Sequence, residues 1–216
     1  MGLKERQGRE REAVTKSILD AARELFVAEG YPSVSIRKIA EKIEYSPAAI
    51  YSYFPSKDDI FFALAEEGFR MLLDRVQRSA AGFPGPDPIE DVRHAFWSFY
   101  EFSKAHPEHY FLMFVDRSVP RISRDWERFG FVHEMKLQVA AVIQRAIDAG
   151  AIAAGTDPRG ALLILVAALH GAAAMRLCDR LAHTESGDAL ARDTLETAIA
   201  GLRAGITQTF RADPCH

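Results

Sequence analysis

The chain is 216 residues long, 48% hydrophobic and 26% charged, with a formal net charge of −3. These values are ordinary for a soluble globular protein of one large or two small domains. Its two cysteines, Cys178 and Cys215, exclude a disulfide framework and suggest a reducing compartment. Overall charge does not advertise a nucleic-acid partner, so any such surface has to be local.

Residues 1 to about 11 read as a flexible polar arm. Lys4, Arg6, Arg9 and Arg11 are suited to phosphates, but the interleaved Glu5 and Glu10, with Glu12 beyond, favour a solvated tail. No apolar segment follows the arm, unlike a signal peptide, and the protein is expected in the cytoplasm. From Glu12 to Glu29 the spacing predicts a helix that buries Ile18, Ala21, Ala22, Leu25 and Phe26 and is stopped by Gly30.

Residues 33 to 57 then read as two short helices joined by a tight turn. Ser35 is placed to cap the first, where Ile36, Ile39, Ala40 and Ile43 repeat on one buried face. Ser46 caps the second, Pro47 occupies its first turn, and Ile50 and Phe54 anchor it to the core. Ala48, Ala49, Tyr51, Ser52 and Tyr53 are left to face outward. Small side chains permit close approach to a DNA groove, where methyl groups meet thymine methyls and hydroxyls and lysine hold phosphates. The basic balance is modest: Arg37, Lys38, Lys42 and Lys57 stand against Glu41 and Glu44.

The run Arg-Lys-Ile-Ala-Glu-Lys-Ile-Glu-Tyr-Ser-Pro-Ala-Ala-Ile-Tyr-Ser-Tyr-Phe-Pro-Ser-Lys-Asp-Asp-Ile resembles the helix-turn-helix of the tetracycline-repressor (TetR) family of transcription regulators. The resemblance covers roughly residues 12 to 72, with the recognition region at 35–54. It implies an all-α fold of about nine helices: an N-terminal DNA-binding domain over 12–72 and a helical ligand-binding and dimerisation domain over 73–216. It also implies that Ser35, Arg37, Ser46, Tyr51, Ser52, Tyr53 and Lys57 contact phosphates, while Pro47, Ala48 and Ala49 face base edges. Family members often carry a larger polar residue at the positions of Pro47 and Ser52. Their absence here leaves specificity to methyl contacts and DNA shape.

Ser56 opens the next helix with a capping-box spacing to Asp59, and that helix is expected to reach about Ala80. It is apolar on more than one side, as suits a link between the DNA-binding unit and the rest. Gly82–Pro88 breaks the chain. Helices are expected near 88–105, 107–116, 124–149, 158–181 and 188–211, and no strand pattern or internal repeat occurs. The rings Phe96, Phe99, Tyr100, Tyr110, Phe114, Trp126 and Phe129, with His133 and His170, are candidates to line a cavity for an apolar or aromatic ligand. Each ring taken singly is equally at home in an ordinary core. The apolar run 161–175 is shorter than the roughly 20 residues of a membrane span. Leu165, Ala168, Ala172, Leu195, Ile199, Leu202 and Ile206 are candidates for a homodimer interface, which the resemblance implies is a four-helix bundle.

His106 and His109, three apart around Pro107, lack the ligand number of a metal site, and no metal or cofactor is expected. The reading is a homodimeric, ligand-responsive regulator, most simply a repressor released from an inverted-repeat DNA operator by a small apolar effector. The alternative is an all-helical carrier or enzyme with no DNA role. No phosphate loop, Cys-x-x-Cys, Gly-x-Ser-x-Gly or His-Glu-x-x-His supports it.

Overall fold

Every regular element among the described residues is helical. The structure, a computed structural model, describes residues 3–79, 84–122, 127–206 and 208–210. Helix α1 (Leu3–Glu29) begins nine residues before the expected Glu12. Its first turns alternate good helix formers, with Glu5 in the first turn and Glu5/Arg9 and Arg6/Glu10 four residues apart, which is why the expected arm is helical. Gly30 ends it with φ 79°, a left-handed value that favours glycine, and a 3-10 turn, Tyr31–Ser33, leads into α2 (Ile36–Lys42) and α3 (Pro47–Tyr51).

At the start of α4 (Lys57–Ser79) the expected Ser56–Asp59 cap forms. The Ser56 hydroxyl donates to Asp59 at 2.6 Å and accepts from the Asp59 amide at 3.2 Å. Beyond it lie α5 (Pro88–Ala105), the short α6 (Pro107–Tyr110) with a π-helical turn, Phe111–Val115, and then α7 (Gly130–Asp148), α8 (Pro158–Leu177) and α9 (Gly187–Ala204). The last helix stops seven residues short of the expected 211. Gly205 takes a left-handed conformation and turns its amide back to the Gly201 carbonyl, so Ile206 lies outside the helix.

The chain forms two compact units. The first holds the residues up to Gly68 together with the segment that begins at Glu108. Ile18, Ala22, Phe26, Ile39, Ile50 and Phe61 make its core, each with no measurable exposure. Arg23 ties the later segment to α1 by donating to Glu108 at 2.8 Å, and buried His109 lies 3.7 Å from Glu67. That ring holds the Glu67 carboxyl below its ordinary pKa. At Gly68 the π turn packs tightly on α4: a Cβ there would lie 2.3 Å from the Met113 sulfur.

The second unit holds Phe69–Pro107 and the segment from Glu127. Within it α8 packs on α5, α7 and α9, and α5 packs on α7. Helix α4 therefore belongs to both units, changing over at Gly68. Contrary to the expectation for 161–175, α8 is long and apolar enough to cross a membrane by length and composition, with a mean hydropathy of 1.8. Ala161, Leu162, Leu165, Leu169, Ala172 and Ala173 are buried against the neighbouring helices, which is how the core helix of a globular unit meets the same criteria.

Candidate nucleic-acid interface and effector cavity

The two-helix stretch is built as its sequence dictates. The Ser35 hydroxyl accepts from the Lys38 amide at 3.3 Å and the Ser46 hydroxyl from the Ala49 amide at 3.1 Å, so both helices carry side-chain caps. Ile36, Ile39, Ala40 and Ile50 are buried. Between the helices Glu44 adopts φ 59°, a left-handed conformation that costs a side chain with a Cβ. On the outer side Ser35, Arg37, Ser46, Pro47, Ala48, Tyr51 and Ser52 are exposed, and Ala49 and Tyr53 are half-buried. Tyr51 is 55% exposed, unusual for so large a ring.

Four positions behave differently from a free phosphate-binding group. Lys57 donates to the Tyr31 carbonyl at 2.8 Å and the Val34 carbonyl at 2.9 Å, with its ammonium 4.1 Å from the Tyr31 ring centroid. It staples the α1–α2 connection to α4, and burial lowers its pKa. One of the three ammonium donors remains for an outside acceptor. Arg37 is held by Glu41 at 2.8 Å, and Lys42 by Glu24 at 2.9 Å, so part of the modest basic field is already neutralised. Ser52 donates to the Ala49 carbonyl at 2.7 Å, while Arg11 reaches its carbonyl at 3.4 Å and lies 4.8 Å over the Tyr53 ring. Among the described arm residues, Arg11 joins the recognition region. Tyr31 has a role the sequence did not signal. Its hydroxyl donates to Asp58, and burial with that carboxylate pushes its pKa well up.

The ring candidates do not converge on one site. Phe96 and Phe99 do line a cavity in the second unit, in company with Leu72, Val76, Met135 and Leu162. No polar surface faces its interior, and its volume is about 70 Å³. Tyr110 and Phe114 pack on each other in the first unit, centroids 5.1 Å apart, so they fall away from it. Tyr100 is fully buried and spends its hydroxyl on Asp188 at 3.0 Å. Phe129 packs edge-on against Phe69, centroids 5.9 Å apart. His133 and His170 are half-buried and absent from the cavity lining, and desolvation lowers the pKa of His170. Trp126 lies outside the described residues. The missed lining pairs Leu72/Val76, Met135/Val139 and Leu162/Val166 are each four apart, a helical spacing readable in the sequence.

The candidate interface residues need a similar correction. Leu165, Ala172, Leu195, Ile199 and Leu202 are at most 3% exposed inside a single chain and have no surface left for a partner. Ala168 is half-buried, and Ile206 is 49% exposed beyond the end of α9. The apolar face that α8 presents to the outside is Leu163, Ala167, Gly171 and Met175, repeating every fourth residue.

Residues 18–64 match the family profile described as bacterial regulatory proteins, tetR family, and residues 98–198 match the tetracyclin repressor-like C-terminal domain. Among curated proteins, the chain is 33% identical over 82 residues to the HTH-type transcriptional regulator HbdR of Aromatoleum sp. (strain CIB), a match covering 38% of this chain and 35% of that one. It is 36% identical over 79 residues to the HTH-type transcriptional repressor KstR of Rhodococcus jostii (strain RHA1), covering 36% and 35%. These matches span about a third of each relative. Among solved structures, the transcriptional regulator FadR from Bacillus subtilis, in complex with stearoyl-CoA, shares the fold. Its TM-score is 0.70 at 20% identity, covering 86% of this chain and 98% of that one. Profiles for both parts of one family thus match in order along a chain whose capped helix pair and helical second unit carry the corresponding architecture, and the chain belongs to the TetR family of bacterial regulatory proteins.

Proposed function

We propose that the protein is a cytoplasmic, homodimeric transcriptional repressor that binds an inverted-repeat operator and is released by a small apolar effector. The observation that carries the DNA reading is the pair of serine-capped helices whose exposed front is Pro47, Ala48 and Tyr51, inside the segment that matches the family profile. Ser35, Arg37, Ser46, Tyr51, Ser52 and Tyr53 hold phosphates, with the remaining Lys57 donor. Pro47, Ala48 and Ala49 face base edges. Two copies joined along the Leu163–Met175 face of α8 present two such fronts to half-sites roughly 34 Å apart or a multiple of that.

The effector reading rests on the dry cavity. At about 70 Å³ it is well below the 300–1,000 Å³ of small-molecule sites, so a ligand that fills it has to spread the surrounding helices. Leu72 and Val76 on α4 are part of that wall. Since α4 continues unbroken to Lys57, a ligand that favours the spread state shifts the population of the DNA-binding unit. Couplings of this kind are typically about 1–3 kcal/mol. Relatives named as a repressor and as a regulator, and a fold neighbour solved with stearoyl-CoA, support the same reading.

The test is selection of genomic fragments on the purified protein at stated salt, followed by titration of apolar compounds into the complex. Enrichment of one inverted repeat, lost on adding a compound that also raises the melting temperature, is the expected result. No enrichment at low salt, with cavity-directed compounds bound and turned over, would favour an enzyme or carrier.

A further inference from the structure

A second hollow in the second unit shares no lining residue with the dry cavity. It is a groove of about 500 Å³ between α4 and α5, within the size range of small-molecule sites. From α5 it takes His94, Trp97, Ser98 and Glu101, which are spaced as one helical face; from α4 it takes Arg75, Arg78 and Ser79. Unlike the first cavity, whose exposed wall is apolar although Lys136 contributes to it, this groove exposes polar groups that recognise charge.

The two guanidinium groups carry more donors than their neighbours use. Arg75 lies 4.0 Å from Glu101, too far for a hydrogen bond, and Glu101 also serves Lys104 at 3.4 Å. Arg78 pairs with Asp74. Each guanidinium has five N–H donors in a planar fork that fits a carboxylate with two parallel bonds, so one acidic neighbour leaves capacity for another. The exposed imidazole of His94 bonds to no described residue. The half-buried indole of Trp97 lines the same groove. It is fixed by Tyr100, with centroids 5.0 Å apart, and by the Arg192 guanidinium 4.5 Å from its ring centroid. A pre-held aromatic surface beside two guanidinium forks recognises a flat ring that bears an anion.

We propose that this groove binds a small planar aromatic carboxylate, its ring stacked on Trp97 and its carboxylate held by Arg75 and Arg78. Asp74 and Glu101 set the selectivity: they already neutralise much of the guanidinium charge, so a lone inorganic anion gains little from the remaining donors, whereas ring stacking on Trp97 adds what those donors alone do not. The site stands apart from the effector cavity, and a ligand there is a second input.

The probe is 2-naphthoate, titrated into the full chain without DNA by calorimetry and by the indole N–H cross-peaks in NMR. The chain has two tryptophans, and the Trp97 peak is assigned by its loss in Trp97→Phe. Expected are a Kd below about 1 mM, a shifted Trp97 peak, and affinity at least about tenfold weaker for neutral 2-naphthol and for the non-planar cyclohexanecarboxylate. Arg75→Gln and Arg78→Gln should each weaken naphthoate at least about tenfold while melting temperature and helical content stay unchanged. Naphthyl phosphate is the comparison arm, and binding tighter than naphthoate by the same tenfold or more overturns the carboxylate assignment in favour of a phosphate. No binding at 5 mM (about five times the expected limit), or binding unaffected by both arginine changes with an unmoved Trp97 peak, overturns the site. The titration needs neither operator nor apolar effector, so its outcome is independent of the repressor reading.

Discussion

Lys57 shows how one side chain serves two demands. A lysine opening the helix after the helix-turn-helix reads as a phosphate contact, yet here its ammonium is tied to the Tyr31 and Val34 carbonyls. Hydrogen bonds to a charged group are worth about 1.5–3 kcal/mol, so Lys57→Ala should lower stability by about that much and weaken binding to every DNA sequence alike. Chemical denaturation measures the first effect, and the salt dependence of binding the second. An unchanged salt slope would mean that the third donor never reaches a phosphate. Glu44 is the converse case, a residue whose backbone wants something else. Glu44→Gly removes left-handed strain of about 1–2 kcal/mol against a glycine entropy cost of about 0.5–1, for a net gain of about 0.5 kcal/mol. It also removes a carboxylate from beside the DNA-facing front, so affinity should rise with stability. A fall in melting temperature would show that the turn depends on the Glu44 side chain.

Between helices, the contact of Tyr100 and Lys104 on α5 with Asp188 at the start of α9 sets a pH window. The Lys104 hydrogen bond, aided by Tyr100, holds the Asp188 carboxyl below its ordinary value of 3.8, so its contribution is complete above that pH and is lost as pH falls through the depressed value. Burial, then the bond to Asp188, pushes Tyr100 up to about 12 from 10.0. That contribution is complete below pH 10 and disappears as pH rises toward 12. Melting curves should therefore fall off at both extremes, and Tyr100→Phe should flatten the alkaline limb while the acid limb, set first by Lys104, keeps most of its drop. A mutant with an unchanged alkaline limb would place the titration elsewhere. Such element-level links were not legible in the sequence, whereas the helices were. Caps act within three residues and buried faces repeat every 3.6, so Ser35, Ser46, Ser56 and the ends of α5 could be read locally. The helical start of α1 was missed because its charges suit a solvated tail as well as a solvated helix. The ring cluster was misjudged because grouping Tyr110 and Phe114 with the first unit depends on distant partners, Arg23 with Glu108 and Glu67 with His109.

For the whole molecule the question is which apolar surface remains after one chain has folded. Helix α8 is apolar nearly all round, so its sequence did not say which stripe is interior. Burial separates the two. Leu165→Ala removes a fully buried side chain and should cost about 2–5 kcal/mol of stability without changing the oligomeric state. Leu163→Glu and Met175→Glu alter residues 37% and 42% exposed in the single chain and should yield stable monomers in analytical ultracentrifugation, with operator binding lost. Dimers that survive both changes would move the interface off this face.

That outward stripe on α8 also makes abundance a thermodynamic variable. If the copies pair along it, each must find a partner before Leu163 and Met175 leave water, and mass action ties folding to protomer concentration. Operator occupancy then rises as roughly the square of the amount of chain when the protein is scarce, and a cell that dilutes it by growth loses repression faster than it loses protein.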